Sequence, residues 1–163
     1  MDERNNSHMK ATWQKDGFRI RLAKASDVDD YYFQNYCPLD KGVARLTGCK
    51  EHFTKEEVTS FFLKAIEETD RYFFLIIDPN GKIIGESVIN AIDWDLRRAN
   101  FRISTGLNWT SFSFNLRAEK AYLRAGFKRE GVLRDAVFDR GKYADDILMA
   151  ILEDDWRKLT VGS

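Results

Sequence analysis

Asn115-Leu116-Arg117-Ala118-Glu119-Lys120-Ala121-Tyr122-Leu123-Arg124-Ala125-Gly126-Phe127 reads as a short amphipathic helix stopped by a glycine and followed directly by a strand. Asn115 suits the N-cap, where a side-chain oxygen accepts an otherwise unpaired N–H of the first turn. Gly126 suits the left-handed residue that ends a helix, because it lacks the Cβ that makes this conformation costly. Helical spacing puts Asn115, Ala118, Tyr122 and Ala125 on one face. That face carries a polar cap, two small residues and one phenol, so another group can approach the helix closely there. The same helix also suits plain packing on a sheet, with the Tyr122 hydroxyl satisfied in a core. The rest of the chain weighs between the two.

With 163 residues the chain is long enough for one domain with a substantial core. Lys plus Arg and Asp plus Glu both number 26, giving zero net charge. No overall basic field therefore points to nucleic acid or to an anionic membrane. No apolar run approaches the roughly 18 residues of a membrane span. The start is polar rather than signal-like, and residues 1–16 read as a polar leader in which Ser7-His8-Met9 matches the scar of a cleaved tag. Cys37 and Cys49 show no metal-ligand or redox spacing, and only His8 and His52 accompany them. Neither a metal site nor a histidine-based triad is expected. The expectation is a soluble, reduced, cytoplasmic protein.

Outward from the quoted helix, the patterns predict a mixed α/β order. Phe18-Arg19-Ile20-Arg21-Leu22 alternates as a half-buried strand does. Ser26-Asp27-Val28-Asp29 opens a helix with a capping residue and first-turn acids. Thr54-Lys55-Glu56-Glu57 opens another with a capping-box pattern, and Val58, Phe61, Phe62 and Ile66 form its apolar stripe. Arg71 to Ile77 is a strongly apolar strand, Asp78-Pro79-Asn80-Gly81 a turn, and Lys82 to Asn90 the returning strand. Asp93 to Arg98 connects it to a strand over Ala99 to Ser104. Two long strands around Asp139-Arg140-Gly141-Lys142 follow the quoted helix. A single domain is expected over 17–157, with 158–163 as a tail.

The pattern N-x-x-A-x-x-x-Y-x-[KR]-x-G-F, followed by Glu130-Gly131, resembles one segment of the GCN5-related N-acetyltransferase superfamily. The element order agrees with that resemblance. Leu46-Thr47-Gly48, the helix opened by Thr54 and the Gly126-Phe127…Glu130-Gly131 run look most like its ribosomal-protein N-terminal branch. The resemblance covers roughly residues 17 to 156. It implies an acyl-CoA N-acyltransferase-like fold, a mostly antiparallel sheet flanked by helices. It also implies acetyl-CoA as co-substrate and an amine as acceptor, either a protein N-terminus or a small molecule.

Residue by residue, the resemblance lays the quoted helix along the pantetheine arm of acetyl-CoA. Asn115 would hydrogen-bond that arm, Ala118 would allow close approach, and Arg117 and Arg124 could face phosphates, as could Lys120. Tyr122 is the expected acid for the departing thiolate, since a phenol of pKa about 10 carries its proton at neutral pH. The strand carrying Ile103 and Ser104 would supply a backbone N–H to the oxyanion. Glu86 is the candidate base from its own pattern: it shares a strand face with Ile84 and Val88, and burial would raise its pKa. A water relay is an equally able base.

One part of the resemblance is missing. Relatives place a glycine-rich loop [QR]-x-x-G-x-[GA], a long helix and a further strand ahead of the quoted helix, and the loop cradles the pyrophosphate of coenzyme A. Nothing here matches that loop, and only Thr105 to Thr110 separates Ser104 from Ser111. That stretch reaches about 20 Å fully extended, whereas a crossover to a parallel neighbour takes about a dozen residues or more. The expectation is a sheet lacking its central loop-helix-strand segment. It also raises a rival to the enzyme: an inactive remnant that binds a protein through its sheet edge or forms a homo-oligomer.

Overall fold

The computed structural model describes residues 12–42, 44, 49, 50, 52–105, 116–139 and 141–160. Two compact units divide the chain, residues 1–44 with 50–106 and residues 45–49 with 107–163. The first is a five-stranded antiparallel sheet with helices. Its strands are β1 (Thr12–Lys15), β2 (Phe18–Leu22), β3 (Tyr72–Ile77), β4 (Ile83–Asp93) and β5 (Arg98–Thr105), paired in that order. Its helices are α1 (Val28–Asn35), entered through a 3-10 turn at Ala25–Asp27, and α2 (Lys55–Glu67).

Strand β1 falls inside the expected polar leader. Its turn into β2 is Asp16-Gly17, with φ of 51° and 80°. Two successive positive φ values suit a tight hairpin. Trp13 earns the strand a place by setting its ring edge-on to Phe74, with centroids 5.4 Å apart.

Helix α2 begins as its capping box predicts. Thr54 Oγ1 accepts the Glu57 N–H at 3.2 Å, and Glu57 Oε2 accepts the Thr54 N–H at 2.8 Å. Asp27, expected as a first-turn acid of the earlier helix, instead secures the turn before it. Asp27 Oδ2 accepts the Lys24 N–H at 2.8 Å, and the same carboxylate takes both ends of the Arg21 guanidinium at 2.7 and 2.8 Å. Tyr31 of α1, Val58, Phe62 and Ala65 of α2, and Phe73, Leu75, Ile77, Ile83 and Val88 of the sheet form one buried cluster. Strand β3 is buried along almost its whole length, which explains its unbroken apolar run.

The second unit holds α3 (Leu116–Arg124), the antiparallel hairpin β6 (Lys128–Asp139) and β7 (Lys142–Ala150), and α4 (Glu153–Thr160). Sequence patterning missed α4, although Glu153, Asp154 and Asp155 in its first turn and Arg157 and Lys158 in its last follow the helix dipole. Residues 106–115, where the central segment would begin, lie outside the described residues, as do Leu46, Thr47 and Gly48.

Candidate active site

Helix α3 ends where Gly126 adopts φ +92°. The Gly126 N–H donates to Leu123 O at 3.1 Å and the Phe127 N–H to Tyr122 O at 3.0 Å. These are the two bonds that close a helix through a left-handed glycine. The closure sends the chain straight into β6 and sets the Phe127 ring 5.4 Å from the Tyr122 ring, tilted by 53°. Ala118 is fully buried and Tyr122 half-buried, one turn apart on the same face, while Lys120, Arg124 and Ala125 are exposed. Burial pushes the Tyr122 phenol above its usual pKa, so it holds its proton at neutral pH and can donate it. Arg117 lies in the first turn of α3, with its side chain outside the described set; Asn115 lies outside it altogether.

Glu86 sits in the middle of β4, between β3 and β5, opposite Leu75 on one side and Ser104 on the other. A central strand buries it: only 8 % of the residue is exposed. Tyr31 of α1 donates its hydroxyl proton to Glu86 Oε2, and the Tyr31 and Tyr36 hydroxyl oxygens are 3.0 Å apart. Arg102 Nη2 of β5 stands 3.9 Å from Oε1. Burial raises the Glu86 pKa, against the opposing pull of the Tyr31 bond and the Arg102 and Arg71 charges. The result is a carboxylate whose proton affinity suits a base better than an ordinary surface glutamate does.

Register thus brings Glu86 and Ser104 together as direct neighbours, with Ile103 next in β5 and opposite Ser87. Helical spacing brings Ala118 and Tyr122 together in the other unit. Sequence patterning did not reveal Tyr31, Tyr36 or Arg102 around Glu86. Only the Arg102 position had a local signal, since it alternates with Ser104 along one strand.

Asp145 and Tyr143 of the second hairpin make local contacts. Asp145 Oδ1 accepts the Asp135 N–H at 3.0 Å, where Asp135 has φ 54° and the register of β6 against β7 shifts. Asp145 therefore secures a bulge. Tyr143 is exposed and meets the Phe138 ring edge-on at 5.1 Å. Among the described residues, no group of His, Cys, Asp and Glu could hold a metal ion, and no helix is long and apolar enough to cross a membrane.

No family model matches the chain. No curated protein matches it by sequence. Solved structures do. Spermidine N-acetyltransferase from Vibrio cholerae, in complex with CoA and spermine, superposes with a TM-score of 0.72 at 18% identity, over 88% of this chain and 99% of that one. Ribosomal-protein-S5-alanine acetyltransferase from Vibrio fischeri gives a TM-score of 0.70 at 20% identity, over 89% of this chain and 98% of that one. With its antiparallel sheet and flanking helices, the chain has the acyl-CoA N-acyltransferase fold of these two enzymes.

Proposed function

We propose that the chain is an N-acetyltransferase that moves acetyl from acetyl-CoA to an amine, either a protein N-terminus or a small molecule. The observation that carries this reading is α3 itself: a helix closed by Gly126, with Ala118 and a protonated, half-buried Tyr122 on its buried face. The fold shared with N-acetyltransferases, one of them solved with CoA, supports the same chemistry.

In the proposed reaction the amine, bound as the ammonium ion, gives a proton to Glu86, and the lone pair so freed attacks the thioester carbonyl. A backbone N–H in the strand of Ile103 and Ser104 stabilises the oxyanion. The tetrahedral intermediate collapses as the C–S bond breaks, Tyr122 gives its proton to the sulfur, and the remaining extra proton on the new amide nitrogen restores the phenol. Asn115, Arg117, Ala118 and Arg124 are assigned to the co-substrate. The reaction requires no metal, and neither nucleic acid nor membrane has a part in it. A cytoplasmic location is consistent with this reading.

The test is calorimetric titration of acetyl-CoA together with an acetyl-transfer assay on a panel of amines. The Tyr122→Phe variant should bind acetyl-CoA nearly as the wild type does and turn over about 100-fold more slowly or worse. Equal turnover would remove Tyr122 from the mechanism. A second reading rests on the short connection between Thr105 and Leu116, where relatives carry a loop, a helix and a strand. It makes the chain an inactive remnant that assembles as a homo-oligomer or binds another protein. Absence of acetyl-CoA binding together with a concentration-dependent mass would favour it.

A further inference from the structure

The Glu86 carboxylate is tied to two tyrosines by a chain of single protons whose direction can be worked out. Tyr31 is 1 % exposed, and its hydroxyl lies between Glu86 Oε2 and the Tyr36 hydroxyl. A phenol has one proton to give, and an ionised carboxylate can only accept. With Glu86 charged, the Tyr31 proton must therefore go to Oε2, and Tyr36 must donate to Tyr31. If Glu86 were protonated and donated instead, both bonds would run the other way, toward Tyr36.

Burial favours the neutral acid, and two positive charges oppose it in favour of the first direction. Arg102 of β5 stands 3.9 Å from Oε1 with its side chain 61 % exposed, and Arg71, ahead of β3 and paired with Glu68 at 2.7 Å, adds a second positive charge. The directly opposite residues, Leu75 and Ser104, carry no charge. From α2 the Phe62 ring packs on Tyr31, with centroids 4.7 Å apart, and holds the phenol in place. Tyr31 is thus fixed by packing on one side and by Tyr36 on the other.

We propose that Tyr31 is a positioning residue that holds Glu86 as a proton-accepting carboxylate, with Tyr36 setting the direction of the Tyr31 hydroxyl. This rests on the acetyltransferase reading in assigning the acceptor role to Glu86. Because Tyr31 occupies Oε2, the atom left to take the amine proton is Oε1, with Arg102 3.9 Å away. The proton leaves the ammonium form of the amine for Oε1, the N–H electron pair stays on nitrogen as the lone pair, and that pair forms the new N–C bond. Tyr31 keeps its own proton throughout.

The test is a titration of the Glu86 side-chain carboxyl, followed by carbon-13 NMR in the wild type, Tyr31→Phe and Tyr36→Phe, alongside the pH profile of kcat/KM. Removing a donor to the charged form should move the Glu86 midpoint upward in Tyr31→Phe, and less far upward in Tyr36→Phe. The acidic limb of kcat/KM should follow, with a loss of about tenfold on that limb in Tyr31→Phe. An unmoved or lowered midpoint would overturn the proposal, since it would mean that Tyr31 is indifferent or accepts from a protonated Glu86. Should Tyr31→Phe fail to fold, the half-buried Tyr36→Phe decides by the same sign. Upward shifts in a protein that transfers no acetyl would sink the transferase reading while leaving the Tyr31–Glu86 assignment standing.

Discussion

The two units bury their apolar residues to very different depths. In the first, Phe62 and Leu75 are wholly shielded, as are Tyr31 and Val88 to within 1 %. In the second, Ala118 and Ile147 are the buried apolar residues among those described, while Leu133, Phe138, Leu152 and Trp156 are at least half exposed. The same contrast runs through the strands: β3 is shielded on both faces, whereas β6 is exposed along most of its length. One unit is held by a core, the other mainly by a long hairpin ladder, local ion pairs such as Lys128–Asp155 at 2.8 Å, and the closure of α3. Both candidate groups sit in the best-secured part of their unit, Glu86 in the central sheet and Tyr122 beside the glycine closure.

The largest effect that would sharpen this contrast is at Phe62. Phe62→Ala should cost about 3–5 kcal/mol in chemical denaturation, because the ring leaves a cavity among Tyr31, Phe73 and their neighbours. Leu133→Ala, at a site 50 % exposed, should stay within about 0.5 kcal/mol. Similar losses at both would break the comparison.

A smaller effect is expected at Gly126. A Cβ there would lie 2.2 Å from Leu159 Cδ1 on a backbone that L side chains rarely adopt. Gly126→Ala should cost about 1–2 kcal/mol, mostly from the conformation, since the end of a leucine can turn away. Gly141→Ala is the control: φ is +78° and nothing stands within 4 Å of the added carbon, so it reports the conformational part alone. A larger loss at Gly141 than at Gly126 would contradict the closure as described.

The smallest effect is one of slope. Burial raises the Glu86 pKa above its unfolded value. Its contribution to stability is therefore complete below the ordinary glutamate range and is lost as pH rises through the folded pKa. Glu86→Gln should remove that part of the decline and flatten the stability curve over that window, whatever it does to the absolute level. A curve of unchanged slope would place the titration elsewhere.

Much of this was legible locally. The Thr54-to-Glu57 capping box, the Asp78-to-Gly81 turn and the Gly126 stop are short-range chemistry, in which each donor meets an acceptor a few residues away. Strand β1 and helix α4 were missed although each had a signal, the Asp16-Gly17 pair for one and the ordered charges for the other. Their apolar residues are sparse and half exposed, so periodicity alone gave them little weight. Tyr31 had no signal as a partner for Glu86, because the two are 55 residues apart and share no motif.

The sequence by itself determined the helix closed at Gly126, the apolar run of β3, the alternation that puts Glu86 with Ile84 and Val88, and zero net charge. Those properties follow from backbone conformation, side-chain period and composition, which act over a few residues. Only the tertiary structure decided that β4 is central, that Glu86 is shielded, and that Tyr31, Tyr36 and Arg102 surround it. Burial and charge at one atom depend on every element packed around it, and strand pairing and helix packing set those neighbours rather than the residues beside it in the chain.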